Sequence, residues 1–190
     1  MSERLQILGV GVDRLTADEA LTRIGAFIAE GREKGTTHQI VTANAEIIYQ
    51  ASHNDKMREV INNAQMVTAD GSGVVWASKQ LGEPLSERVT GIDLVNSICA
   101  ASAQYGWKLY ILGSAPGVAD TAAQNICAKY PGCNIIGTHH GYFDAEQEQN
   151  ILAELRELNP DVLFVALGAP KQEYWIADHI GQLGIPVGMG

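Results

Sequence analysis

The sequence predicts an α/β protein. Its architecture is a Rossmann-like, mostly parallel sheet with helices on both faces, plus a small N-terminal strand or hairpin and helix. Three observations carry this. Short apolar runs such as Ile40-Val41, Met66-Val67 and Val162–Leu167 alternate with longer segments of helical periodicity. The run from Val162 to Leu167 is apolar throughout, as a strand covered on both faces should be. Cap and turn residues mark the boundaries between the two kinds of segment, and strands alternating with helices imply a parallel sheet.

In chain order, Leu5 to Val12 reads as a strand or hairpin arm. Thr16-Ala17-Asp18-Glu19 is a capping box, with Thr16 as N-cap and Glu19 at the third helical position. The helix it opens lines up Ala20, Ile24, Phe27 and Ile28 on one face, and Gly31 and Gly35 are expected to end it. A strand over Gln39–Thr42 precedes a helix through Ala51. Asn54 is placed to cap a helix over 55–63, and Met66–Ala69 is the next strand. Gly71–Leu81 and Gly91–Tyr105 read as helices around a polar loop, with Leu94, Ile98 and Ala101 at core spacing. The later pattern is regular: strand 108–112, helix to Tyr130, strand 134–137, helix 145–158, strand 162–167, and a helix from Pro170 to Ile180.

At 190 residues the chain is long enough for one domain with a sizeable core, and residues 1–190 are taken as a single domain. Hydrophobic residues make up 46% and charged residues 18%, a globular balance. The formal net charge of −9 disfavours nonspecific binding to nucleic acid or to an anionic membrane. Cys99, Cys127 and Cys133 are odd in number and lack C-x-x-C spacing, which points to reduced thiols in a cytoplasmic protein. No signal peptide and no long apolar span is apparent. Gly184–Gly190 reads as a loop and a strand that stops where a further glycine turn is expected, the pattern of a chain that has lost a tail.

The candidate chemistry lies where strands end, because open α/β sheets bind ligands at the carboxyl ends of their strands. Thr42 and Asn44 close one strand, and Asp70 closes another. Asp70 suits a general base, a helix N-cap, or both. Gly113-x-x-x-Gly117 lies between a strand and a helix, where backbone amides and the helix dipole hold a phosphate or form an ordinary turn. Gly168-Ala169-Pro170-Lys171-Gln172-Glu173 follows the most apolar strand. Pro170 suits a first helical turn, and Lys171 and Gln172 gather donors at that helix's positive end, as a diphosphate or sugar hydroxyls require. Arg88 is either a surface charge or a phosphate clamp. His139-His140 lacks further ligands at suitable spacing, and no Asp-x-Asp occurs, so no metal site is expected. Gly9-x-Gly11 lacks the third glycine of a dinucleotide fingerprint.

Five segments occur in an order that resembles the WecG/TagA/CpsF glycosyltransferases: Thr42-Ala43-Asn44-Ala45-Glu46, Ala69–Val74, Arg88–Asp93, His140–Phe143 and Leu167–Glu173. The resemblance covers nearly the whole chain. It implies an inverting hexosyltransferase that needs no metal or other cofactor. The donor would be UDP-N-acetylmannosamine, and the acceptor undecaprenyl-diphosphate-linked N-acetylglucosamine, as in the wall teichoic acid branch. It also implies a peripheral protein on the inner face of the cell membrane, held there through a basic and apolar C-terminal segment beyond Gly190. Another UDP-hexosamine or uronic acid transferase of the family is the nearest alternative.

On this reading Asp70 takes the acceptor proton. Thr42 and Asn44 orient the sugar or the acceptor hydroxyl. Arg88, Gln172, Lys171 and the helix starts near Gly113 and Gly168 receive the departing diphosphate. Two rival classes are a nicotinamide-dependent oxidoreductase and a non-catalytic nucleotide-sugar sensor. Apolar helix faces serve a core or a contact between copies of the chain.

Overall fold

The computed structural model describes residues 4–190. β1 (Leu5–Ile7) and β2 (Val10–Val12) form a separate antiparallel hairpin. A six-stranded sheet contains β3 (His38–Ala43), β4 (Met66–Ala69), β5 (Lys108–Gly113), β6 (Asn134–His139), β7 (Val162–Ala166) and β8 (Val187–Met189). Its order is β4-β3-β8-β7-β5-β6, and every pairing in it is parallel. The helices are α1 (Ala17–Lys34), α2 (Ala45–Ser52), α3 (Asp55–Asn63), α4 (Ser72–Gln80), α5 (Gly91–Tyr105), α6 (Val118–Lys129), α7 (Ala145–Leu158) and α8 (Lys171–Leu183).

Alternation along the strands divides the core between the two faces of the sheet. Ile40, Met66, Leu109, Phe164 and Met189 pack on one face with Ile24 and Ile28 of α1 and with Leu94 and Ile98 of α5. On the other face, Tyr110, Leu112, Leu163 and Val165 meet α7 and α8. There too, Val41, Ala43, Val67 and Ala69 meet the hairpin, α2, α3 and Val74 of α4. The expected parallel sheet with helices on both faces is therefore present, as is the small N-terminal hairpin.

Several expectations shift by a residue or two, and one changes in kind. Gly31 does not end α1. It lies inside the helix because a Cβ there would come within 2.5 Å of Pro186, so the glycine permits close packing, and Gly35 ends the helix in the left-handed conformation. Gly9 and Gly11 belong to the hairpin, not to a strand-to-helix turn, which removes the local geometry a dinucleotide fingerprint requires. The last strand is central. β8 sits between β3 and β7 at the centre of the sheet.

This topology creates a crevice. From β3 the chain steps outward to β4. It then crosses to β5, steps outward the other way to β6, and returns through β7 and β8 to the middle. The reversal of strand order opens a groove at the carboxyl edge, over β3, β8 and β7, where such sheets bind ligands.

Candidate active site

Two cavities lie along that edge. One, of about 320 Å³, is lined by Thr42, Asn44, Glu46, Asp70, Gln172 and Gly190, among others. The other, of about 670 Å³, includes Ser114, Tyr142, Phe143, Asp144, Gln147 and Lys171. Consecutive residues of α8, Lys171 and Gln172, line different cavities, so the start of α8 stands between the two.

The Asp70 cavity is built from strand ends in register. Thr42 pairs with Thr68, and Ala43 with Ala69, so Asn44 and Asp70 leave the sheet side by side. The Asp70 N–H donates to the Ala43 carbonyl at 3.0 Å, which fixes the backbone there. The Asp70 carboxylate does not cap α4, whose N-cap is Gly71 with no side-chain cap bond. Instead its Oδ2 accepts from the N–H of Gly91, the first residue of α5, at 3.1 Å. Its Oδ1 has no partner among the described residues, which leaves one oxygen able to accept a proton.

Thr42 Oγ1 donates to the Gly190 carbonyl at 3.3 Å. It also lies 3.2 Å from where a Cβ on Gly91 would sit, so the glycine lets α5 approach β3 closely. Asn44 Oδ1 caps α2 by accepting from the Ile47 N–H at 2.9 Å. Of its polar groups, the amide nitrogen is the one left for a ligand. Gln172 is held at both ends of its amide: Oε1 accepts from Gly168 N–H at 3.0 Å, and Nε2 donates to Glu173 Oε1 at 3.1 Å.

The starts of α4, α6 and α8 have no side-chain cap. All three follow strands directly at the carboxyl edge, and their positive dipole ends suit an anion; at α8 the N–H groups of Gln172 and Tyr174 already donate to the Gly168 and Pro170 carbonyls. At the turn after β5, however, the Ser114 N–H donates to the Ala166 carbonyl at 2.9 Å. A Cβ on Gly113 would lie 2.3 Å from that same carbonyl oxygen. Gly113 thus serves the close approach of β5 and β7, and the donors at this turn lie further on, at the start of α6. Lys171 Nζ lies 5.4 Å from the Phe143 ring centroid, a cation–π distance. Pro170 is the N-cap of α8 instead of its first helical residue.

The structure therefore gathers Thr42, Asn44, Asp70 and Gln172 around one cavity and puts Lys171 in the next. Gly168 and Gly113 are at the turns after β7 and at the end of β5. Arg88 is exposed in the loop before α5 and lines neither cavity. Sequence reasoning missed Glu46 and Gln50, which line the Asp70 cavity and bond to each other at 3.1 Å. Their four-residue spacing in the helix that starts at Asn44 was the available signal. It also missed Glu173, which is only 1% exposed. Among the described residues, no three His, Cys, Asp or Glu side chains are arranged to hold a metal ion.

The sequence pattern of the glycosyl transferase WecG/TagA/CpsF family matches residues 5–190. The chain belongs to this family. A relative from Staphylococcus aureus strain NCTC 8325 / PS 47 is 35% identical over 187 residues, 98% of this chain and 72% of the relative. Its name is N-acetylglucosaminyldiphosphoundecaprenol N-acetyl-beta-D-mannosaminyltransferase. The proteins of the same name from strains COL and MRSA252 match at the same identity and coverage. A solved periplasmic solute-binding protein of an ABC transporter from Actinobacillus succinogenes 130z, with bound D-allose, is 12% identical. The alignment covers 80% of this chain and 75% of that one at a TM-score of 0.34, a likeness too slight to bear on fold or ligand. As a member of the WecG/TagA/CpsF family this chain is a glycosyltransferase, and the five segments that resemble the family include the strand ends and the helix start that frame its crevice. No helix among the described residues is long and apolar enough to cross a membrane.

Proposed function

We propose that the protein transfers N-acetylmannosamine from UDP-N-acetylmannosamine to polyprenyl-diphosphate-linked N-acetylglucosamine, with inversion at the anomeric carbon. The observation that carries this reading is the grouping of Asp70, Thr42, Asn44 and Gln172 around one cavity beside the uncapped start of α8. The donor and acceptor are those implied by the name of the S. aureus relatives together with the sequence resemblance.

In this mechanism the acceptor hydroxyl oxygen bonds to the anomeric carbon while the bond from that carbon to the diphosphate breaks. Asp70 takes the hydroxyl proton through Oδ1, and UDP departs with the bonding electron pair from the opposite face. The Gly91 N–H on Oδ2 keeps the carboxylate oriented. The diphosphate lies across the start of α8, between Gln172 and Lys171, where the Lys171 N–H, the helix dipole and the ammonium group accept its charge. The uridine then occupies the larger cavity, with Tyr142 and Phe143 offering aromatic faces. The Asp70 cavity contains two carboxylates, Glu46 and Asp70, and no lysine or arginine. That composition suits sugar hydroxyls and a proton acceptor better than a diphosphate. The acceptor's lipid keeps the working enzyme at the cytoplasmic face of the membrane as a peripheral protein.

The test is UDP release from a panel of UDP-N-acetylhexosamines, with and without a short-chain polyprenyl-diphosphate N-acetylglucosamine. Fastest release from UDP-N-acetylmannosamine, dependent on acceptor, is the expected result. A preference for another hexosamine would overturn the donor assignment. Binding of UDP-sugar without acceptor-dependent release would overturn the acceptor assignment.

A further inference from the structure

We infer that Glu173 is a positioning residue that fixes the side-chain amide of Gln172 with one N–H turned to the substrate, so that this wall of the cavity recognises an oxygen acceptor on the nucleotide sugar. The inference rests on the glycosyltransferase reading for the identity of that ligand, but its geometry stands on the chain alone.

A glutamine amide has a donor end and an acceptor end, and its orientation is decided by its partners. At Gln172 both partners agree. The Gly168 N–H can only donate, so it selects Oε1. The carboxyl oxygen Oε1 of Glu173 selects Nε2. Turning the amide over would set oxygen against oxygen and N–H against N–H. One hydrogen on Nε2 is used by Glu173, and the second has no partner among the described residues. Gln172 lines the Asp70 cavity, and its Nε2 lies 2.9 Å from where a Cβ on Gly190 would sit.

Glu173 is poorly explained as a device for stability. It is buried to 1% exposure, and its Oε2 is buried without a partner. Burial raises its pKa, against smaller opposing effects of its own backbone N–H and of Gln172. A half-satisfied buried acid destabilises a fold relative to an apolar side chain of the same shape. Its place in α8 also rules out the usual task of a glutamate three residues into a helix. In a capping box that side chain reaches back to the N-cap N–H, and the N-cap here is Pro170, which has none. The carboxyl turns to Gln172 instead. A further bond fixes the same turn of helix to the sheet: Gln39 Nε2 of β3 donates to the Glu173 carbonyl at 3.0 Å. β3 also carries Thr42, so the two walls of the cavity share one support.

The test has two arms. In protein labelled with 15N at glutamine side chains, the Gln172 amide is assigned by its loss in Gln172→Ala. Its proton facing Glu173 should exchange slowly in the wild type and at least about tenfold faster in Glu173→Ala, as expected for loss of a buried hydrogen bond. It should remain slow in Glu173→Gln, which keeps an acceptor there. Glu173→Met replaces the alanine variant if the latter does not fold. Unchanged exchange on removal of the carboxyl overturns the inference.

The second arm is calorimetric binding of a UDP-N-acetylhexosamine. Glu173→Ala should weaken it about tenfold, and Gln172→Ala/Glu173→Ala should be no weaker than Gln172→Ala alone. Losses that simply add would show Glu173 acting apart from Gln172 and overturn it. Failure of the wild type to bind any UDP-sugar overturns the proposed donor instead, and amide exchange then decides the positioning.

Discussion

Asp70 lines the cavity and Glu173 lies buried behind Gln172, and their surroundings give these two carboxylic acids different work. Asp70 is half-buried with one oxygen bonded and one open, which suits a group that must take a proton. Asp70→Asn keeps an acceptor for the Gly91 N–H but cannot take that proton. Turnover should fall by about 10²–10⁴ while UDP-sugar affinity stays near that of the wild type. Acceptor-dependent UDP release and calorimetry measure the two, and a variant that turns over normally removes Asp70 from the role. Glu173 has a pKa raised by burial from its ordinary value of 4.5. The folded chain holds that proton more tightly than the unfolded chain. Its stabilising contribution is therefore complete below pH 4.5 and is lost as pH rises through the raised folded value. Glu173→Gln has no such proton to lose, so the variant should gain stability relative to wild type between mildly acidic and neutral pH. Urea titrations at both ends of that window check this, and a constant difference would refute it. Thr42, Asn44, Asp70 and Gln172 were legible in the sequence because each is polar and ends a strand or starts a helix beside one. Glu173 was not, because an acid in a first helical turn normally reads as dipole compensation, and only tertiary packing shows it to be buried.

Among the elements, the caps divide structural from ligand-facing helix starts. Thr16 and Asn54 were readable as caps and serve as such, since a cap is decided within three or four residues. Strand ends were less readable because the partner strand decides them. β5 runs on to Gly113 because it pairs there with Ala166 of β7. Asn44 belongs to both classes: its oxygen caps α2 while its residue lines the cavity. Two substitutions separate the roles. Asn44→Ala should lose about 0.5–2 kcal/mol of stability with the cap, and activity with the amide. Asn44→Asp keeps an equivalent cap, so its melting temperature should hold. It also replaces the amide donor with a carboxylate that can only accept, in a cavity that already has Glu46 and Asp70. Its turnover near neutral pH should fall. Full activity in Asn44→Asp would mean that the amide nitrogen has no part in catalysis.

For the molecule as a whole, the least legible feature is the one on which the rest closes. Alternation of strands and helices was plain, but strand order depends on crossovers that local sequence does not encode. β8 is short, contains a glycine, and reads as a marginal strand, yet it pairs with β3 through His38↔Val187, Gln39↔Gly188 and Ile40↔Met189. It also pairs with β7 through Val162↔Val187, Leu163↔Gly188 and Phe164↔Met189. Among the described residues, the β4-β3 half of the sheet, with Asp70, and the β7-β5-β6 half pair as strands only through it. Gly188 makes that insertion possible under α8, since a Cβ there would lie 2.5 Å from Ile180 Cδ1 and 2.8 Å from Ile176 Cγ2. The Cβ of Gly188→Ala already forces both Ile180 and Ile176 to shift, and the two further methyl groups of Gly188→Val press on them harder. The valine variant should lose about 1–3 kcal/mol, and more than the alanine variant. Because one strand joins both halves, the loss should appear as a single earlier transition in thermal and urea unfolding, with far-ultraviolet circular dichroism and tryptophan fluorescence coinciding. Turnover should also drop before unfolding begins, since the strand leads directly to the Gly190 carbonyl that accepts from Thr42. Separate transitions for the two halves, or a valine variant as stable and active as wild type, would show that the crevice does not depend on β8.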